Sequence, residues 1–201
     1  MTTHVLPELT YAYDELEPHY DAATLELHHS KHHQSYVDGL NKALDGLAAA
    51  RDAGDFGALK HLERELAFHG GGHTLHSLFW RNLMPGGGGR PEGPLAAAID
   101  NAFGGFEAFD RQLRAASAGV EGSGWGALAV DPMTAELAIF QIEKHQNQFT
   151  PGWEPIFVID VWEHAYYLKY NNRRAEFVEA VMEHLVNWED VRQRYERAIA
   201  T

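Results

Sequence analysis

The chain has 201 residues, 45% of them apolar, enough to build one large domain or two modest ones and too many for a disordered polymer. Lysine and arginine total 16 against 29 aspartates and glutamates, and the net charge of −13 disfavours phosphate backbones, so nucleic acid is not an expected partner. Cysteine is absent, which excludes disulfides, thiolate ligands, iron–sulfur clusters and cysteine nucleophiles.

Pro7 and Pro18 punctuate residues 1–20, which read as an extended arm with a turn or two. Residues 21–48 read as a long helix, with a bend expected near Gly39. Within it Thr24, His28, His32, Tyr36 and Leu40 recur every four residues and form one slowly drifting stripe, with His29 and His33 beside it. A second helix is predicted over 57–81, where Leu59, Leu62, Leu66, His69, His73, His76 and Phe79 or Trp80 keep helical spacing. That period runs through Gly70, Gly71 and Gly72, each costing about 1 kcal/mol in a helix interior. Close approach of another group is the expected reason for them.

The run from Pro85 to Pro91, with four glycines, is a breaker cluster and the best domain boundary. The fold class is therefore α+β. An N-terminal antiparallel helical hairpin domain (residues 1–87) precedes a mixed domain (residues 88–201). In the second part, 95–103 and 106–116 read as shorter helices, and 125–130, 136–142 and 155–159 as the strands of a small antiparallel sheet. Residues 161–170, 175–186 and 188–200 return to helix. The start of the chain lacks the basic and apolar regions of a signal peptide, and no stretch approaches a membrane span of about 20 apolar residues. A soluble, cytoplasmic protein with no membrane partner is the expectation.

The chemistry concentrates in three places: His28, His76 and the segment Asp160-Val-Trp-Glu-His164. Spacing by four puts Asp160 and His164 on one side of a helical turn. Taken singly, His28 and His76 read as hydrogen-bonded packing residues and Asp160 as a helix cap. Together they make three imidazoles and a carboxylate, a ligand set that suits manganese, iron or zinc.

At these residues the chain resembles the iron/manganese superoxide dismutases. The likeness runs through the opening from Leu6 to His19, His28-His-Ser-Lys-His-His-Gln-Ser-Tyr36, Gly71-Gly-His-Thr-Leu-His-Ser-Leu-Phe-Trp80, Asp160-Val-Trp-Glu-His-Ala-Tyr-Tyr167 and Val186-Asn-Trp188. The resemblance implies that His28, His76, Asp160 and His164 hold one manganese ion per subunit, with iron as the alternative and a metal-bound water or hydroxide as fifth ligand. It implies disproportionation of superoxide, a small anionic substrate, to dioxygen and hydrogen peroxide. His32 and Tyr36 match the gateway of the substrate funnel, and Trp80, Trp125 and Trp162 its aromatic walls. Tyr167 matches a tyrosine near the partner subunit. Glu163 matches a glutamate that crosses to the ligand histidine of the other chain, so a homodimer is implied and a tetramer remains open.

The sequence departs from many relatives around the bound solvent. Gly72 stands where one group carries glutamine, and His145 resembles the substitute found in some bacterial and archaeal members, with Tyr36 expected to hold its outer side. Gly72 favours the manganese layout. The competing readings are a metal-dependent hydrolase or dioxygenase, which needs a positioned base and a wider cleft, and a structural metal protein, whose site is closed. A di-iron bundle does not fit, because the repeated Glu-x-x-His pairs are missing.

Overall fold

A computed structural model of the chain describes residues 3–200. After an arm with a run of turns come α1 (Ala22–Leu27), a π-helical turn (His28–His33) and α2 (Gln34–Ala53), which together form one continuous helical rod. Asp21 starts it, accepting the Thr24 N–H at 2.9 Å. Gly54 ends it in the left-handed conformation, φ 65°. The helix runs unbroken through Gly39, where a bend is expected from sequence, and the irregular hydrogen-bond pattern lies upstream, in the π turn. Gly39 serves the neighbouring helix instead: a Cβ at this position would lie 2.4 Å from the His69 ring.

Helix α3 (Leu59–Asn82) returns antiparallel to α2, completing the hairpin. Its glycines are contact points. A Cβ on Gly71 would sit 2.4 Å from the His145 carbonyl oxygen, and one on Gly72 would sit 2.7 Å from the Tyr36 ring. The linker after α3 is pinned rather than loose. Met84 and Gly88 donate to the carbonyls of Leu185 and Val186 at 2.8 and 2.9 Å.

The remainder is mixed. Helices α4 (Gly93–Phe103) and α5 (Phe106–Ala118) precede β1 (Gly124–Val130), β2 (Leu137–Glu143) and β3 (Glu154–Asp160). The sheet is antiparallel in the order β2-β1-β3. Its central strand is buried along its whole length, as expected for a strand paired on both edges and covered by helices. Helix α5 packs on β1 and α3 packs on β3.

Residues 161–170 do not form the predicted single helix. Asp160 is still paired with Trp125 in the sheet, and its Oδ1 accepts the Trp162 N–H at 2.8 Å, turning the chain sharply. A 3₁₀ turn (Glu163–Ala165) and a single-turn α6 (Tyr167–Tyr170) follow, then α7 (Arg174–His184) and α8 (Trp188–Ala198).

Asn82, fully buried at the end of α3, ties the hairpin to the sheet. Its Nδ2 donates to the Ile156 carbonyl at 3.2 Å and to Asp190 at 3.0 Å, and its Oδ1 accepts the Val158 N–H at 3.0 Å. An Asn82→Ala change orphans two buried backbone groups of β3. It is expected to lower the unfolding free energy by about 2–4 kcal/mol in denaturant titration.

Candidate metal centre

Four elements from three separate stretches of the sequence deliver four side chains to one point. His28 opens the π turn, His76 lies on α3, Asp160 ends β3 and His164 sits in the 3₁₀ turn. Asp160 Oδ2 is 3.1 Å from His28 Nε2, 3.4 Å from His76 Nε2 and 3.3 Å from His164 Nε2. All four candidate ligand atoms lie within 4.8 Å of one another. The side chains of His28, His76 and Asp160 are fully buried, and that of His164 is 11% exposed. The grouping expected from sequence is observed, though Asp160 and His164 meet across a strand end and a 3₁₀ turn rather than on one α-helix.

The protonation states suit a cation. Burial, reinforced by His164, pushes His28 down to about 4, so its ring is neutral at physiological pH. Burial alone would raise the Asp160 carboxyl, but His164 and the bonds from His164 and His28 outweigh it and hold the group far below the usual carboxylate range. His76 donates Nδ1–H to the Gly72 carbonyl at 2.6 Å, which leaves Nε2 as a lone pair. That buried nitrogen has no hydrogen-bond partner among the described residues. Three imidazole nitrogens and an ionised carboxylate converging at a largely buried point form the donor set of a first-row transition-metal ion.

His145 joins the site from the turn after β2. The Trp125 indole N–H donates to its Nδ1 at 3.0 Å, so the neutral ring carries its proton on Nε2. That Nε2 is buried and meets no partner among the described residues. Burial drives the His145 pKa down to about 3. Its ring stacks on Trp162 at 4.5 Å and meets Tyr36 edge-on at 4.5 Å. The group holding its other nitrogen is therefore Trp125, not Tyr36 as expected.

Tyr36 is buried, and burial, with Asp160 adding, raises its phenol well above the usual value, so it stays protonated. His32 lies exposed at the rim with its ring stacked on His164 at 4.4 Å. Trp80 and Trp125 wall the interior, edge-on to His28 at 4.8 Å and to His76 at 4.9 Å. Glu163 and Tyr167 do not join the cluster of their own chain: both are exposed, Tyr167 by 46%.

Three neighbours escaped sequence reasoning. His33, fully buried, stacks on His76 at 5.2 Å, accepts the Trp80 indole N–H at 2.9 Å and reaches His73 Nδ1 at 2.9 Å. The π turn brings it inward, five residues after His28, where an α-period assigns the inner face to His32. Phe68 lies 5.0 Å from the His145 ring. Tyr20, outside every helix, places its phenol 2.5 Å from His28 Nδ1.

The buried imidazoles give the metal-free protein an acid limb. His28, His33 and His145 fall to about 4, 3 and 3, below the unfolded value of roughly 6.5. The unfolded chain then binds more protons between these limits, so stability is full above about pH 6.5 and declines as pH falls towards 4. Urea titrations of metal-free protein across pH 4–7 are expected to show the midpoint dropping steadily with acidity.

Comparison with known proteins agrees with this geometry. Residues 3–84 match the family described as iron/manganese superoxide dismutases, alpha-hairpin domain, and residues 91–194 match the C-terminal domain of the same family. A superoxide dismutase [Mn] of Nocardia asteroides is 48% identical over 99% of this chain and 96% of its own length. A superoxide dismutase [Mn/Fe] of Propionibacterium freudenreichii subsp. shermanii is 46% identical over 97% of this chain and 98% of its own. A superoxide dismutase [Mn] of Mycolicibacterium fortuitum is 48% identical over 98% and 95%. With both domains matched and identities of 46–48% along almost the entire length, the chain belongs to the iron/manganese superoxide dismutase family.

Proposed function

We propose that His28, His76, Asp160 and His164 hold the redox ion of a superoxide dismutase that converts two superoxide anions to dioxygen and hydrogen peroxide. One observation carries the reading: three imidazole nitrogens, two of them on fully buried rings, facing a single ionised carboxylate oxygen at 3.1–3.4 Å. The bound ion supplies a one-electron cycle that oxidises one superoxide and reduces the next. Manganese is favoured, because relatives carry the names [Mn] and [Mn/Fe] and because Gly72 stands where the iron-like layout carries glutamine; iron is the alternative.

The surrounding residues take separate tasks. His145, whose Nε2–H meets no protein acceptor among the described residues, would offer that proton to a solvent ligand of the ion. Protonated Tyr36, behind exposed His32, stands at the entrance as a proton source for the peroxide product. Trp80, Trp125 and Trp162 exclude bulk water, so the carboxylate and imidazoles act in a low dielectric. Exposed Glu163 and Tyr167 act across a two-fold axis in a homodimer, with Glu163 reaching the partner's ligand histidine and Tyr167 lying at its funnel. Support for this comes from their position beside His164, from exposed Leu168 next to Tyr167, and from exposed Leu27 next to His28. The division into residues 1–87 and 88–201 follows the pinned linker and the gap between the two family matches. Among the described residues no helix is long and apolar enough to cross a membrane, and the absence of cysteine suits the reducing cytoplasm.

Protein reconstituted separately with manganese and iron is expected to hold one ion per chain and to disproportionate superoxide with at least one of them. His76→Ala is expected to lose both ion and turnover. Stoichiometric binding without turnover would leave a structural metal protein and sink this reading.

Glu163→Ala is expected to shift the sedimentation profile from dimer towards monomer at micromolar concentration while leaving the far-UV circular dichroism unchanged. An unaltered dimer would remove Glu163 from the interface.

A further inference from the structure

Tyr20 belongs to none of the motifs that define the site, yet its phenol oxygen lies 2.5 Å from Nδ1 of His28. The residue is fully buried. Its ring is held between Phe79 at 6.4 Å and Phe177 at 5.6 Å, a slot that a phenylalanine would fill equally well. A buried phenol oxygen costs free energy unless it is bonded, and among the described residues its hydrogen bond goes to His28 alone.

The chain fixes this contact firmly. On the C-terminal side Asp21 caps α1, accepting the Thr24 N–H at 2.9 Å and the Thr24 hydroxyl at 2.6 Å. Glu17 accepts the Ala22 N–H at 3.0 Å across the turn. On the N-terminal side the Tyr170 hydroxyl donates to the His19 carbonyl at 2.6 Å. The phenol is therefore delivered to His28 by a braced turn.

The direction of the bond follows from the ligand's task. An imidazole that offers Nε2 to a cation carries its proton on Nδ1. Nδ1–H of His28 then donates to the Tyr20 oxygen. An acceptor at that position fixes the ring plane and makes the imidazole a stronger donor to the ion. Stronger donation favours the trivalent over the divalent state.

Resting on the reading of the cluster as a redox metal centre, we propose that Tyr20 is a positioning residue for the ion. It orients His28 and lowers the reduction potential of the site through the Nδ1–H bond.

The test compares Tyr20→Phe with Tyr170→Phe in full-length, manganese-loaded protein. Tyr20→Phe removes a phenol oxygen carried by the braced turn and Tyr170→Phe one that braces it from α6, but only the first touches a ligand. Ion retention is read by competition with a chelator, and the midpoint potential by a mediated redox titration. Tyr20→Phe is expected to weaken retention by about ten- to hundredfold and to raise the midpoint, with about 59 mV for each tenfold loss of preference for the trivalent ion. Tyr170→Phe is expected to leave both at the wild-type value. Wild-type behaviour of Tyr20→Phe in both readouts, or equal shifts in the two variants, would overturn the proposal. Failure of the wild-type protein to retain manganese or iron would instead bring down the reading of the cluster itself, and this inference with it.

Discussion

Everything in this protein is arranged around a carboxylate that has been taken out of water. Asp160 is fully buried, and its Oδ2 faces three imidazole nitrogens at 3.1–3.4 Å. An isolated buried carboxylate would be expensive. Here the neighbouring rings hold it ionised, while burial holds His28 and His76 neutral. Such a group of lone pairs is costly by itself and favourable around a cation. The family assignment and the geometry meet at this point.

Orientation is set one layer further out, and it is set by hydrogen bonds of known direction. Gly72 O fixes the tautomer of His76, and the Trp125 indole fixes that of His145. The Trp80 indole fixes His33, which in turn stacks on His76. Indole N–H groups only donate, so each such bond determines which imidazole nitrogen keeps the proton. The consequence at His145 is a proton on Nε2 that has no protein acceptor among the described residues. A site built in this way needs little rearrangement when charge moves through it.

The glycines of α3 show how packing serves the chemistry. Their cost in helix stability is offset by the close approach of the His145 backbone to Gly71 and the Tyr36 ring to Gly72. Alanine at either position would have to move a residue of the pocket. Asn82, ten residues further along the same helix as Gly72, fixes the far end of α3 to β3. The distance between His76 on one element and Asp160 on the other is thereby constrained from both ends.

The sequence by itself determined the four candidate ligands, the hairpin and the three-stranded sheet, because ligand chemistry and hydrophobic period are local properties that survive without a fold. Its motifs also determined the family. Tertiary structure alone decided how the ligands meet. Asp160 and His164 look like a helical pair at spacing four, yet pairing with Trp125 keeps Asp160 in the sheet and the Asx turn bends the chain after it. Periodicity assigned the inner face to His32, but the π turn adds a residue and hands that face to His33. Tyr20 left no trace in any pattern, since its role depends on a contact between the arm and the π turn that no helical or strand spacing encodes. Spacing reports which residues share a face of a regular element. Where the backbone is irregular, as it is at each of these three places, only long-range packing decides which side chain points inward.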